Sequence, residues 1–152
     1  LKSPEGQRRV KALCARADAV VENFRPGYLE RIGLGPEALQ AANPGLTVAR
    51  ISGYGQDGPY RDKPAFGAIG EAMGGLRHLT ANPGQTELPP PRCGVSISDD
   101  LAGMYAALAV VSACWGRTAN GGKGRVLDLD LVSSVFSLME GMLTEHGLFG
   151  WV

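Results

Sequence analysis

The sequence predicts an α/β fold, a parallel sheet with flanking helices, and three observations carry that prediction. Short apolar runs alternate with helical patterns in the order helix, strand, helix, strand, which is the grammar of βαβ units. The first two of these runs end in turn-forming, polar or glycine-rich residues, as buried parallel strands do where they emerge at a functional edge. The composition, 44% hydrophobic against 20% charged over 152 residues, is enough to bury one domain's core.

Ser3 followed by Pro4 is an N-cap with proline at the first helical position, and Val10, Leu13 and Cys14 follow at helical spacing, so a helix is expected over 4–16. The run from Asp18 to Phe24 is short and apolar before it turns polar and reads as a buried strand, broken by Arg25-Pro26-Gly27. A short helical turn over Tyr28–Ile32 ends at Gly33 and Gly35, and Pro36 opens a second helix through Ala42. After the turn at 43–45, Leu46–Ile51 is a second strand running into the glycine-rich stretch 52–59. Phe66, Ile69, Met73 and Leu76 form an apolar stripe in one helix over 64–79, whose many glycines demand close packing. The prolines of 82–91 exclude regular structure there. Asp99 and Asp100 are expected to cap a buried helix over 101–115; Arg125–Leu131 reads as a strand with one wet face; and a last helix over 132–147 buries Val135, Leu138, Met139 and Met142.

Charge and cysteine content narrow the function. Fifteen basic residues balance fifteen acidic ones, which argues against nucleic acid and against an anionic membrane surface and leaves small molecules as ligands. The three cysteines, Cys14, Cys93 and Cys114, are scattered without a C-x-x-C, so neither a disulfide framework nor a zinc site is expected and the compartment reads as reducing. The run 101–115 counts 15 residues, short of the roughly 20 that span a bilayer. No secretory leader opens the chain, which suits a cytoplasmic protein, and the absence of an initial methionine suggests a partial chain.

Three places invite chemistry. Asp99, at the head of the long apolar helix, meets the positive end of the helix dipole and free first-turn amides, the setting a carboxylate nucleophile requires. Asp is also among the best N-cap residues, so spacing alone leaves a purely capping role open. Asn23-Phe24-Arg25-Pro26-Gly27 follows a strand end, where open α/β sheets place ligands: Asn23 offers amide hydrogen bonds, Phe24 a stacking face for a purine, and Arg25 or Arg31 a partner for phosphate. A plain strand-to-helix turn is the simpler alternative. The stretch 52–59 has backbone amides that can cradle phosphate, though no P-loop pattern. Asp128 and Asp130 fall on the solvent face of a strand, His78 and His146 stand alone, and no G-x-S-x-G is present, so neither metal nor serine-hydrolase chemistry is expected.

Seven stretches in order, Leu1–Gly6, Ala17–Gly27, Leu29–Gly35, Ile51–Tyr60, Gly70–Gly75, Gly94–Asp99 and Gly122–Asp128, give the chain a strong resemblance to the family III CoA-transferases (the CaiB/BaiF group). That group includes formyl-CoA transferase, carnitine CoA-transferase and the alpha-methylacyl-CoA racemases. The resemblance implies a Rossmann-like segment of the large domain over 1–131, with 132–152 leading to a small domain absent from this chain. It implies acyl-CoA and a carboxylic acid as substrates, a homodimer, and an aspartate nucleophile at Asp99 that passes through an aspartyl anhydride and an aspartyl-CoA thioester. It carries CoA contacts to Asn23, Phe24, Arg31 and Lys63, and involves no metal. Racemases of the group place a catalytic histidine where this chain has Phe66, which favours acyl transfer over isomerisation. Some transferases carry an acid where this chain has Gly67, and the form of 66–75 is most similar to members that use dicarboxylic acids such as succinate or glutarate. Members are more than twice this length. A catalytically silent acyl-CoA-binding or dimerisation module is therefore the alternative, and unpaired sheet edges are expected to drive self-association.

Overall fold

The computed structural model describes residues 1–82, 84 and 87–150. Three strands, β1 (Ala19–Glu22), β2 (Thr47–Ser52) and β3 (Val126–Asp130), lie side by side in chain order and all run parallel. Val20 pairs with Val48 and Val48 with Val126, so one register crosses the sheet. The expected parallel α/β architecture is present, and its two outer strands each pair on one side only among the described residues.

One face is covered by the amino-terminal helices. Ser3 accepts from the Gly6 amide and Pro4 stands at the first position of α1 (Pro4–Cys14), as the cap pattern predicts. Cys14, Leu29, Leu34 and Leu39, contributed by α1, α2 (Tyr28–Arg31), α3 (Pro36–Ala42) and their connections, pack with Leu46 and Val48 into one cluster. Asn43 ties this layer together: its amide donates to the carbonyls of Cys14 and Ala17 while its oxygen accepts from Gly45.

A second helical group, α4 (Gly67–Met73), α6 (Ile97–Trp115) and α7 (Leu131–Phe136), packs together, with α6 seated on β2 and β3. Here the sequence-based expectations need correction. The helix expected over 64–79 is two, α4 and α5 (Leu76–Leu79), separated where Gly75 turns left-handed at φ +96°. Its apolar stripe is not the inner face: Phe66, Ile69 and Met73 are exposed, and the glycines face inward. A Cβ placed on Gly70 or Gly74 would come within 2.7 Å of Ser98 or 2.6 Å of Val135, so α4 approaches its neighbours at backbone range.

The long helix begins at Ile97, not at 101, and is 19 residues long, with mean hydropathy 1.3, enough by length and composition alone to cross a membrane. It is not wholly buried. Its small residues Ala102, Ala106 and Ala113 face the interior, while Met104, Leu108, Val111 and Trp115 are exposed. A helix apolar on every side gives no sequence signal for which face packs, and the small side chains allow the closer approach. Finally, the helix expected over 132–147 breaks into α7, a 3₁₀ turn at Ser137–Met139 and α8 (Met142–Phe149), with Glu140 at φ +47° between them; Val135 and Met139 are buried but Leu138 is exposed. Of the 82–91 loop, Pro83, Gln85 and Thr86 lie outside the described residues, and the others form no helix or strand.

Candidate functional site

Because the strands are parallel, their carboxyl ends share one rim, and the residues that follow each strand meet there. Asn23 to Pro26 leave β1, Ser52 and Gly53 end β2, and Leu131 follows β3. Together with Arg61, Lys63–Phe66 and Asp99 they line a cavity of about 190 Å³.

The Asn23-Phe24 corner is held from beneath. Asn23 donates its side-chain amide to the Ile51 carbonyl at 2.9 Å, which pins the corner to the end of β2. The Phe24 amide donates to Glu22, a buried carboxylate whose other oxygen accepts from Arg50 Nε at 2.7 Å. Arg50, itself buried, also donates from both terminal nitrogens to Glu30 at 2.7 and 3.2 Å. Burial alone would raise the Glu30 pKa, but the hydrogen bonds and charge of Arg50 outweigh it and hold Glu30 below its ordinary range. Burial likewise acts to lower the Arg50 pKa, and its bonds to Glu30 and Glu22 raise it instead. The Phe24 ring packs on Tyr28 at 4.9 Å, with the Arg31 guanidinium 5.8 Å from the Tyr28 centroid.

Asp99 is the third residue of α6, not its cap; Ser96 is the N-cap. The Asp99 carboxylate is exposed at the cavity, and among the described residues no hydrogen bond or ion pair engages it. Its backbone is fixed by the residue before it: buried Ser98 donates to the Gly67 carbonyl at 2.8 Å. Asp99 then lies so close to Gly67 that a Cβ there would be 2.3 Å from its Oδ2. The bare Gly67 thus leaves room for the Asp99 carboxylate.

Of the predicted contact residues, Asn23, Phe24 and Lys63 share the cavity with Asp99, and Arg31 does not. Arg31 lines an adjoining hollow of about 220 Å³ with Asp62 and with Arg25, Pro26, Arg61 and Lys63, which border both spaces. Lys63 Nζ stands 3.8 Å above the Tyr60 ring. Sequence reasoning missed Arg61, Pro64 and Ala65 as lining residues; the only signal was a run of cations and prolines after a glycine-rich turn.

In the glycine-rich stretch 52–59 the Gln56 amide is taken by the Asp128 carboxylate at 2.8 Å, and only Ser52 and Gly53 reach the cavity. Asp128 is exposed, as the solvent face of the strand predicts, although it accepts from Gln56; Asp130 is half-buried and caps α7 by accepting from Ser133. Partial burial raises the Asp128 pKa, and the nearby charges of Asp130 and Asp57 push the same way against the Gln56 bond. His78 and His146 both line a third hollow, of about 530 Å³, with Met73, Phe136, Met139 and Met142. Among the described residues no three His, Cys, Asp or Glu side chains gather as metal ligands.

Comparison with known proteins gives this geometry its context. The family model described as CoA-transferase family III matches residues 1–151. The chain is 51% identical over 152 residues to succinyl-CoA–D-citramalate CoA-transferase of Chloroflexus aurantiacus, covering all of this chain and 37% of that protein. It is 36% identical over 146 residues to human succinyl-CoA:glutarate CoA-transferase, covering 96% of this chain and 32% of that one. Among solved structures, a CaiB/BaiF family protein from Brucella suis superposes with a TM-score of 0.88 at 32% identity, over 99% of this chain and 39% of that one. The chain therefore spans little more than a third of the length of the relatives it matches.

Proposed function

Because this chain belongs to CoA-transferase family III, we propose that it carries the nucleophile and part of the CoA-binding surface of an enzyme that moves CoA from an acyl-CoA thioester to a carboxylic acid. The observation that carries this reading is that the Asp99 carboxylate, engaged by no other group among the described residues, opens onto the cavity lined by Asn23, Phe24 and Lys63.

The steps follow from a free carboxylate beside a thioester. An Asp99 oxygen attacks the acyl carbonyl, the C–S bond breaks, and CoA thiolate leaves an acyl-aspartyl anhydride. The thiolate then attacks the Asp99 carbonyl and releases the donor acid as a carboxylate, leaving an aspartyl-CoA thioester. The acceptor carboxylate attacks that thioester and expels the thiolate, which finally takes the acceptor acyl group and restores Asp99. Each leaving group departs as an anion, thiolate or carboxylate, and no net proton is consumed. Asn23 and Phe24 border CoA on one side of this cavity; Lys63 and, from the adjoining hollow, Arg31 supply positive charge for its phosphates. The names of the relatives support dicarboxylic acids as donor and acceptor, and Arg25 and Arg61 around the cavity offer a counter-charge for the second carboxylate. Phe66, in the racemase histidine position, carries no titratable group. The exposed α6 residues Met104, Leu108, Val111 and Trp115 support burial against further protein in a homodimer, which a single 16 kDa species in sedimentation contradicts.

A silent acyl-CoA-binding module is the second reading, favoured by the chain's covering only 37% of the citramalate enzyme. Incubating the protein with succinyl-CoA and hydroxylamine separates the two. An Asp99 hydroxamate, absent from Asp99→Asn, is the expected result. CoA binding without any adduct supports the silent module, and no CoA binding refutes both.

A further inference from the structure

Glu71 lies within α4 and is wholly buried, although the other inward-facing residues of that helix are glycines. A carboxylate in such a place is costly unless it is paired, and periodicity offers no reason for it. Its partners are the Arg92 guanidinium at 3.0 Å and the Cys93 backbone amide at 3.4 Å. Both belong to the segment that leads into α6. One turn earlier on α4, the Gly67 carbonyl accepts from Ser98.

The segment needs such ties because it has little else. Residues 92–96 are all exposed, Gly94 is left-handed at φ +80°, and the N-cap Ser96 makes no side-chain capping bond. The start of α6 is therefore fixed by α4, through Glu71 at one end of the segment and Gly67 at the other, and Asp99 is the next residue after the second tie.

Resting on the transferase reading, we propose that Glu71 is a positioning residue: with Arg92 and the Cys93 amide it clamps the chain entering α6, and so holds the Asp99 carboxylate against Gly67 and in the cavity. Misplacing a reacting group by about 1 Å costs up to about a hundredfold in rate, whereas CoA binding by Asn23, Phe24 and Lys63 does not depend on the clamp.

The test measures Asp99 acylation by succinyl-CoA, CoA affinity and amide hydrogen exchange at 94–99. Arg92→Ala approaches the clamp from its half-exposed side and serves if Glu71→Gln fails to fold. The expected result is an acylation rate at least about tenfold lower in either variant, CoA affinity within about twofold, faster exchange at 94–99, and recovery to within about threefold in Arg92→Lys. Parental acylation rates in the variants, or affinity falling in step with rate, overturn the clamp alone. If the parent binds CoA without any adduct at Asp99, the transferase reading fails, and unchanged exchange at 94–99 then overturns the clamp as well.

Discussion

Replacing Gly67 by alanine should separate stability from chemistry. The added Cβ would sit 2.3 Å from Asp99 Oδ2 and 3.3 Å from Ser98 Oγ, against an ordinary contact distance of at least 3.4 Å. The Gly67 backbone is helical, not left-handed, so alanine fits its conformation and gains up to about 1 kcal/mol of helix propensity. The nearest obstacle is the far end of a flexible side chain, which yields by swinging away by about 1 Å, and a displacement of that size at a reacting atom costs about a hundredfold in rate. Gly67→Ala is therefore expected to melt at or slightly above the parent temperature while trapping of acyl-Asp99 with hydroxylamine slows by about that factor. A variant that acylates at the parental rate would show that Asp99 does not react from the place where it stands. One that loses stability and acylation together would show that the collision is met by the backbone.

Gly53→Ala meets a different obstacle, the Ala65 Cβ at 2.2 Å, which cannot rotate away, so a loss of about 1–3 kcal/mol in urea denaturation is expected, without the gain expected at Gly67. Arg50→Ala leaves Glu22 buried without its cation and should cost about 3–5 kcal/mol, with exchange of the Phe24 amide accelerating because that amide is bonded to Glu22. Asp128→Asn keeps an acceptor for the Gln56 amide and removes a charge whose folded pKa is raised. An acid of raised pKa favours folding below its unfolded value and loses that contribution as pH rises through the folded one. Asp128→Asn should accordingly be more stable than the parent at neutral pH, by about 0.5 kcal/mol at this exposed site, with the difference vanishing below about pH 3.8; a constant difference across pH would refute it. Glu30 runs the other way: its folded pKa is lowered, so the stability it adds is present above its unfolded value of 4.5 and is lost as pH falls through the folded one, and Glu30→Gln should flatten that part of the acid unfolding curve.

The strands and the rim were legible because apolar runs that end in polar or glycine residues state both where a parallel strand lies and which end matters. Asn23 and Phe24 reach the cavity for that reason, while Asp99 is read from its place at the head of α6. Helix faces were read less well. Phe66, Ile69 and Met73 share a helical stripe, and periodicity alone makes a stripe an inner face; the fold turns it outward because three glycines let α4 approach Ser98, Asp99 and Val135 more closely than any side chain would. Periodicity also carried the helices of 64–79 and 132–147 through their breaks, since Gly75 and Glu140 leave the apolar spacing intact. The Arg50 network joins residues up to 28 positions apart, and the Glu71 pairing joins residues 21 and 22 apart, so neither leaves a local pattern. Arg31 stands one hollow away from its expected place because Gly27 and the short α2 turn it toward Tyr28.

The shared direction of the three strands divides the molecule into two ends with different duties. At the end opposite the cavity, the connection 119–122 before β3 includes Gly121 and Gly122, around which there is open space. Side chains added at these two positions meet neither the cavity nor its supports, but the next glycine, Gly124, is packed so tightly that a Cβ there would fall 2.0 Å from the Leu46 carbonyl oxygen. The cavity end is likewise crowded to contact distance at Gly53 and Gly67, so the latitude is confined to the exposed turn at 121–122.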